Sequence, residues 1–483
     1  MNKKKYYCVW LLPLLLLGCS SQPEPIDHLL LLPEAEFSQQ SLAQSSDIQW
    51  WPQHNDLALS HYIEQALDNN QDLLALYQRL LQAQALRDKT VALEFPSVNA
   101  GINVSDDTDS SEKYYNASLD MAYEIDLWRR IQDASESAEA QYQAQRYDYD
   151  AAAISLSAAV ADAWYGWVES QQKLLILQQQ QAANKKNLDI IALRFRVGAV
   201  NITDVTQQRQ QLESVRARIV LVKADIANSQ YQLNILLGRG ITTPIEAAAE
   251  LPPLNAQPAT GLPLALLSRR PDVQSAWLII QGNESALASA IKDRYPRINL
   301  SLTSTSSAQH SSDLFSDWLN QLVAGIVLPI VDGGSRRAEI RRQQALVNEA
   351  VHNYNSVMLN AIKEVEAALI NEQQQAEYLN SISKQKQLAY FVLERKTSYY
   401  RSANTSYLDV LAALTSAQDL ALQQITAEAD LLDDRVELYR AIAGGWSALE
   451  QREAALQQNT QPKLTLQHSQ SSHHHETVTE QVQ

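Results

Sequence analysis

The chain repeats itself at a distance of about 205 residues, and each half carries a helical pattern too long for a compact globule. Phe195-Arg196-Val197-Gly198 aligns with Tyr400-Arg401-Ser402-Ala403, and Thr203-Asp204-Val205 with Leu408-Asp409-Val410, at an offset of 205 throughout. Before the first of these points a helical pattern runs from about Leu127 to Val197, with heptad spacing at Ile154, Ala158, Ala161, Tyr165 and Val168. Roughly 70 residues at about 1.5 Å each would reach about 105 Å. Gly198 breaks the pattern, and heptads return through Leu212, Val215, Ile219, Val222 and Ile226. Residues 198–203 therefore turn a long antiparallel helical hairpin. The second half does the same: Val347, Val351, Tyr354 and Met358 lead to a turn near Ala403, and Leu411, Leu414, Ala421 and Ile425 lead back.

Ahead of each helical hairpin the period changes to two. Val98, Ala100, Ile102 and Val104 alternate with Asn99, Gly101, Asn103 and Ser105. Tyr115, Ala117, Leu119 and Met121 alternate with Asn116, Ser118 and Asp120. In the second half Ile298, Leu300 and Leu302 alternate with Asn299, Ser301 and Thr303, and a less regular run ends at Pro329. These are strands with one apolar and one polar face. The predicted organisation is a first repeat at 56–250, with strands near 97–105 and 114–125 and a helical hairpin near 127–238. A second repeat covers 251–450, with strands near 297–305 and 318–329 and a helical hairpin near 335–442. Phe95-Pro96 and Tyr295-Pro296 stop the helices that precede the strands. Residues 451–483 are polar, Gln-rich and aperiodic, and read as a disordered tail.

The amino terminus is an address. Lys3, Lys4 and Lys5 precede an apolar run, Val9–Leu17, that is too short to span a bilayer. Leu16-Leu17-Gly18-Cys19 follows and resembles a bacterial lipobox, in which the cysteine is lipidated and becomes the first mature residue. Residues 1–18 are the expected signal peptide, and 19–55 a lipidated, extended segment. Ser20 and Ser21 follow the cysteine, with no aspartate that would favour retention at the inner membrane, so the outer membrane is expected. Cleavage leaves 36 basic and 55 acidic residues, 36 − 55 = −19.

That acidic balance disfavours a nucleic-acid surface. Only 13 glycines argue against an enzyme of many Gly-rich loops, and Cys8 and Cys19 supply no disulfide framework for the body. There is no G-x-S-x-G and no H-E-x-x-H. The fragment Gly238-Arg239-Gly240 lacks a P-loop lysine, and His473, His474 and His475 lie in the polar tail. No metal site, cofactor or catalytic residue is expected, apart from covalent lipid on Cys19.

Each strand is about long enough to cross an outer membrane at a tilt. Open sheet edges are not tolerated in lipid, and four strands are too few to close a barrel. A barrel must then be shared: two copies give eight strands and three give twelve. The polar faces, with Asn99, Asn103, Asp120 and Asn299, would line the lumen.

These residues resemble the outer membrane efflux protein family, the TolC-like channels, in its lipoprotein (NodT-type) branch. The carriers are Tyr123-Glu124-Ile125-Asp126-Leu127-Trp128, Arg194-Phe195-Arg196-Val197-Gly198, Arg269-Arg270-Pro271-Asp272-Val273, Pro329-Ile330-Val331-Asp332-Gly333-Gly334, Glu364-Val365-Glu366, Tyr407-Leu408-Asp409-Val410-Leu411 and Gly444-Gly445-Trp446. The resemblance implies a mainly α protein with a membrane β-barrel. It implies a homotrimer whose twelve-stranded barrel stands in the outer membrane on an α-helical periplasmic barrel. It implies a passive exit duct that meets an inner-membrane efflux pump through a periplasmic adaptor. Helical tips close the periplasmic end in this family, so Asp409, Asp204 and Tyr400 are the gate candidates; as first-turn acids, Asp204 and Asp409 equally suit helix N-termini. The chain departs from the pattern at Arg129 and Ala403, where the family often has glycine, and at Ala412, where a second acid is common. The competing reading is a lipid-anchored periplasmic coiled-coil scaffold or adaptor, which leaves the four strands unexplained.

Overall fold

Two helices of 67 residues dominate the computed structural model of the chain, which describes residues 49–54, 56–107, 112–246, 250–254, 269–402, 404–442 and 446–460. In order the elements are α1 (Leu57–Asn69), α2 (Gln71–Val91), β1 (Ser97–Asp107), β2 (Glu112–Ile125), α3 (Arg130–Arg196), α4 (Ile202–Leu236), α5 (Pro271–Lys292), β3 (Arg297–Ala308), β4 (Leu319–Val327), α6 (Ser335–Arg401), α7 (Tyr407–Ile442) and α8 (Ala448–Thr460). At about 1.5 Å per residue, α3 and α6 are each about 100 Å long. Their first residues, their last residues and the starts of α4 and α7 are all 205 apart. The two repeats nevertheless form one unit, which ends at Trp446.

The four strands make one antiparallel sheet in the order β1-β2-β3-β4. The central pairing, β2 on β3, joins the two repeats, with Ile125 opposite Ile298 and Tyr115 opposite Ala308. No described helix is apolar enough over a sufficient length to cross a membrane.

The family-like motifs at the ends of the long helices are caps. Asp126 Oδ1 accepts from Arg130 N (2.7 Å) and its Oδ2 from Gln132 N (2.8 Å), at the start of α3. Asp332 does the same for α6, accepting from Gly334 N (2.9 Å) and Arg336 N (3.2 Å). Each satisfies amides that no helical carbonyl reaches. The residue before each helix is left-handed: Gly334 at φ 89° and Arg129 at φ 62°. Glycine adopts this conformation freely, whereas a side chain costs about 1–2 kcal/mol there. The Arg129 side chain pairs with Glu136 at 2.9 Å on the surface.

The core sits where α1, α3, α4 and the end of α7 meet. It holds Trp51, Leu59, Ile63, Trp164, Tyr165, Leu233 and Val436, all fully or almost fully buried. Each such side chain contributes about 1.5–3 kcal/mol through burial. The segment before α1 is tied into it: Trp50 stacks on Tyr439 (5.6 Å) and donates to Ser157 Oγ (3.1 Å), while Trp164 Nε1 donates to Asp56 Oδ2 (2.8 Å). The part of the expected extended segment at Trp51–His54 is a 3-10 turn, and the rest up to residue 48, with Cys19, lies outside the described residues.

Three local differences from the sequence reading have clear causes. First, the single helix expected to end at Phe95-Pro96 is two, α1 and α2, because Asn70 turns extended (ψ 126°) and caps α2 through Leu73 N at 2.9 Å. The same side chain donates to Leu236 O at 3.0 Å, so α4 has to approach closely. Gly238, at φ 65°, allows this; a Cβ there would lie 2.1 Å from Asn69 O. Second, β4 carries apolar residues on both faces: Leu322 and Ile326 on one, Leu319, Val323 and Val327 on the other. Third, residues 451–460, the start of the stretch predicted as a disordered tail, belong to helix α8, which begins at Ala448. Its run of Ala, Leu, Glu and Gln favours helix, and Ser447 Oγ accepts from Glu450 N (3.2 Å). It belongs to a unit of its own; residues 461–483 lie outside the described residues.

In the second repeat the Arg-Pro-Asp and Glu-x-Glu motifs meet. Buried Arg270 donates to Asp272 (2.7 and 3.0 Å), to Glu364 (2.8 Å) and to Ala441 O (3.0 Å). One guanidinium thus joins the start of α5, the middle of α6 and the end of α7.

Candidate functional site

Two helical turns form one end of the chain and the four-stranded sheet forms the other. The turns share their hydrogen bonds at the 205-residue offset. Ala199 N donates to Arg194 O at 2.9 Å, and Asn404 N to Tyr399 O at 2.9 Å. This six-residue closure is the helix-ending bond that left-handed glycine favours, and Gly198 lies at φ 75°. Ala403 lies outside the described residues. The following helices are capped alike, with Asp204 N donating to Asn201 Oδ1 (3.0 Å) and Asp409 N to Ser406 Oγ (3.3 Å).

Asp409 sits in the first turn of α7. It accepts from Thr405 Oγ1 (2.7 Å), Ser406 Oγ (2.7 Å) and Ser406 N (3.2 Å), and Lys396 of α6 approaches to 3.8 Å. The Thr405 and Ser406 hydrogen bonds, with Lys396 adding to them, hold its carboxyl down at about 2. Within one chain it is a reciprocal cap of its own helix.

Tyr400 keeps different company. Its ring lies under the Arg194 guanidinium of α3 (4.6 Å) and 5.5 Å from the ring of Tyr407. Burial raises the Tyr400 hydroxyl; nearby Arg194 opposes the shift and Asp204 adds to it. Tyr407 is pushed further, again mainly by burial. Ile191, Val205, Tyr407 and Val410 form the apolar cluster beneath. The structure therefore gathers Tyr400 and Asp204, with Arg194 and Tyr407, and leaves Asp409 with Lys396.

Above this cluster a buried amide network ties the two hairpins together. Tyr407 Oη donates to Gln208 Oε1. Gln208 donates to Asn184 O (2.9 Å) and Oδ1 (3.0 Å), and Asn184 donates to Gln418 Oε1 (3.3 Å). Gln180 donates to Gln418 O (3.0 Å) and Gln211 to Gln418 Oε1 (3.2 Å). Asn184 and Gln208 have no exposed surface at all. Breaking one partner would leave another buried without one, which is expensive. Sequence reasoning missed these residues. In so Gln-rich a chain, buried amides look like solvated ones; their only signal is placement at apolar heptad positions.

At the sheet, Asn99 lies opposite Asp120, and Asn103 opposite Asn116. Asp120 lies opposite Thr303, and Asn299 opposite Glu124. All four predicted lumen residues therefore share one face. The edges of the sheet, β1 and β4, have no partner strand among the described residues. Nor do those residues hold any group of three or more His, Cys, Asp or Glu placed to bind a metal.

Known proteins share this arrangement. The sequence model of the outer membrane efflux protein family matches residues 62–239 and 262–444. The pyoverdine export outer membrane protein OpmQ of Pseudomonas aeruginosa is 28% identical over 464 residues, 90% of this chain and 96% of the relative. The probable outer membrane lipoprotein SilC of Salmonella typhimurium is 24% identical over 404 residues, 81% of this chain and 87% of the relative. The solved structure of the outer-membrane channel OprN superposes with a TM-score of 0.79 at 25% identity, over 86% of this chain and 97% of that one. A repeated strand pair, a repeated helical hairpin whose first helix is about 100 Å long and a family match to most of both repeats lead to one conclusion: the chain belongs to the outer membrane efflux protein family, the outer-membrane channels of tripartite efflux systems.

Proposed function

We propose that three copies of this chain assemble into a passive exit duct anchored by lipid on Cys19. Their sheets join β4 to β1 around a twelve-stranded barrel in the outer membrane, and the helical hairpins continue as an α-helical barrel through the periplasm. The observation that carries this reading is the four-stranded sheet whose two edges have no partner strand among the described residues, set at the end of helices about 100 Å long. In this assembly the face with Asn99, Asn103, Asp120 and Asn299 lines the lumen. The two helical turns form the periplasmic rim, where a periplasmic adaptor links the duct to an inner-membrane pump. Arg194, Tyr400, Asp204 and the amide network hold α7 against α3 and α4 in the narrowed state, and Asp409 adds a carboxylate to the rim. The pump chooses the cargo and supplies the energy. SilC is named as a probable outer membrane lipoprotein, which supports the lipid anchor. OpmQ is named as a pyoverdine export outer membrane protein, which supports export as the task of the duct.

Conductance across a planar bilayer tests this reading. Discrete openings are expected from the purified protein. Tyr407→Phe combined with Gln208→Ala, which cuts the amide network beside the rim, is expected to raise unitary conductance several-fold. A protein that never conducts, with or without these substitutions, would be a scaffold and not a duct.

A further inference from the structure

The membrane border of the sheet carries charge and apolar surface that the duct itself does not use. β4 ends at Val327, and the chain then exposes Leu328, Ile330 and Val331, the last two at 87% and 91%. Gly333 and Gly334, both left-handed, and the Asp332 cap then turn it sharply into α6. Arg337 and Arg341 follow one helical turn apart, both exposed. Arg337 lies one turn before the packed position Ile340 and Arg341 directly after it, so both flank the packed stripe of Ile340, Gln343 and Val347 on its exposed side. Neighbouring arginines are neutralised: Arg336 pairs with Asp293 (2.8 Å) and Asp332 (3.1 Å), and Arg342 with Glu339 (2.7 Å). Arg337 and Arg341 have no hydrogen-bond or ion-pair partner among the described residues. At the same end of the sheet, Trp128 packs on Tyr295 (5.3 Å) and donates to Pro296 O (2.8 Å).

Apolar side chains followed by free guanidiniums, beside a Trp–Tyr pair, match the depth profile of a lipid leaflet: acyl chains, then the interface, then phosphates. A guanidinium offers a fork of donors to phosphate oxygens, and two unpaired ones favour an anionic headgroup over a zwitterionic one. From this juxtaposition we infer that Arg337 and Arg341, with Ile330 and Val331, form an annular site for anionic phospholipid at the periplasmic rim of the barrel. The inference rests on the reading that the strands cross the membrane. It gives each protomer a lipid clamp where the barrel meets the helices, and makes the lipid part of what holds that joint.

The test places the full-length lipidated protein in nanodiscs of mixed phosphatidylcholine and phosphatidylglycerol and counts lipids retained on the released protein by native mass spectrometry. The wild type is expected to retain phosphatidylglycerol preferentially. Arg337→Gln with Arg341→Gln is expected to cut that retention about tenfold, with phosphatidylcholine retention and oligomer mass unchanged. Arg342→Gln removes an equal charge from a paired arginine and is expected to leave retention intact. Equal phosphatidylglycerol retention in the double variant and the wild type would overturn the site. So would displacement of the lipid by inorganic phosphate, which would reassign the arginines to a soluble anion. A wild type that never enters the disc would overturn the membrane reading beneath it.

Discussion

Replacing Glu372 with alanine is expected to cost about 3–5 kcal/mol, the penalty for orphaning one member of a buried ion pair. Glu372 of α6 and Arg435 of α7 are 8% and 3% exposed, and Arg435 Nε donates to Glu372 Oε2 at 3.0 Å. The second guanidinium arm reaches the other carboxylate oxygen, so the contact is bidentate. Removing the carboxylate leaves the guanidinium buried in the wall with its charge uncompensated. For a cooperative unit of roughly 450 residues the unfolding entropy is near 1 kcal/mol per degree, so the thermal midpoint of the helical signal should fall by about 3–5 °C. Glu372→Met combined with Arg435→Leu removes both charges and fills the space. That pair is expected to return to within about 2 kcal/mol of the wild type. A double variant as unstable as the single one would show that the pair does more than neutralise itself.

The stability of the helical wall is expected to rise as the pH falls from 9 to 5, the reverse of ordinary acid denaturation. Asp162 of α3 and Asp433 of α7 each have a buried Oδ1 with no hydrogen-bond partner. Burial, reinforced by Glu437 and opposed by Arg440, lifts Asp162 to about 7. Burial, reinforced by Asp162, Asp430, Glu169 and Asp434, lifts Asp433 to about 8. Burial with Asp430, Glu372 and Glu437 lifts Asp434 to about 6. In the unfolded chain these carboxyls titrate near 4, so between there and about 8 the folded state binds more protons. Their stabilisation is complete below the unfolded value and is lost as the pH rises through the folded ones. For Asp162 and Asp433 together, discounted for the coupling between them, the change from pH 5 to pH 9 amounts to about 3–5 kcal/mol. Asp162→Asn with Asp433→Asn keeps shape and removes the charge. It is expected to match the wild type at pH 5, exceed it by a few degrees at pH 9 and flatten the profile. A profile as steep in the double variant as in the wild type would locate the titration elsewhere.

Much of this architecture was legible because it rests on periodicity. Heptad positions such as Val168 and Val351 are buried, and the repeat offset read at Asp204 and Asp409 recurs in helix ends, caps and turn closures. Alternation located the strands, and the structure lengthens β1, β2 and β3 by two or three residues where polar residues continue the pleat. Less could be read where one residue serves two purposes. Asn70 breaks a helix because its side chain caps the next one and also reaches Leu236, a contact 166 residues away. Trp50 and Trp51 lie in a stretch with no periodicity, yet they join the core with partners from α3 and from residues near the far end of the unit. At the helical turns, the family motifs singled out Asp204, Asp409 and Tyr400, but not the amides of Asn184, Gln208 and Gln418. Polarity alone does not tell a buried glutamine from a solvated one.

The most direct test of the shared barrel is the mass of the particle. Protein purified from outer membrane in mild detergent, with bound detergent subtracted, is expected to scatter light as three mature chains. A single chain would leave β1 and β4 as open edges in lipid, and two chains would close only eight strands; either mass would contradict the twelve-stranded duct.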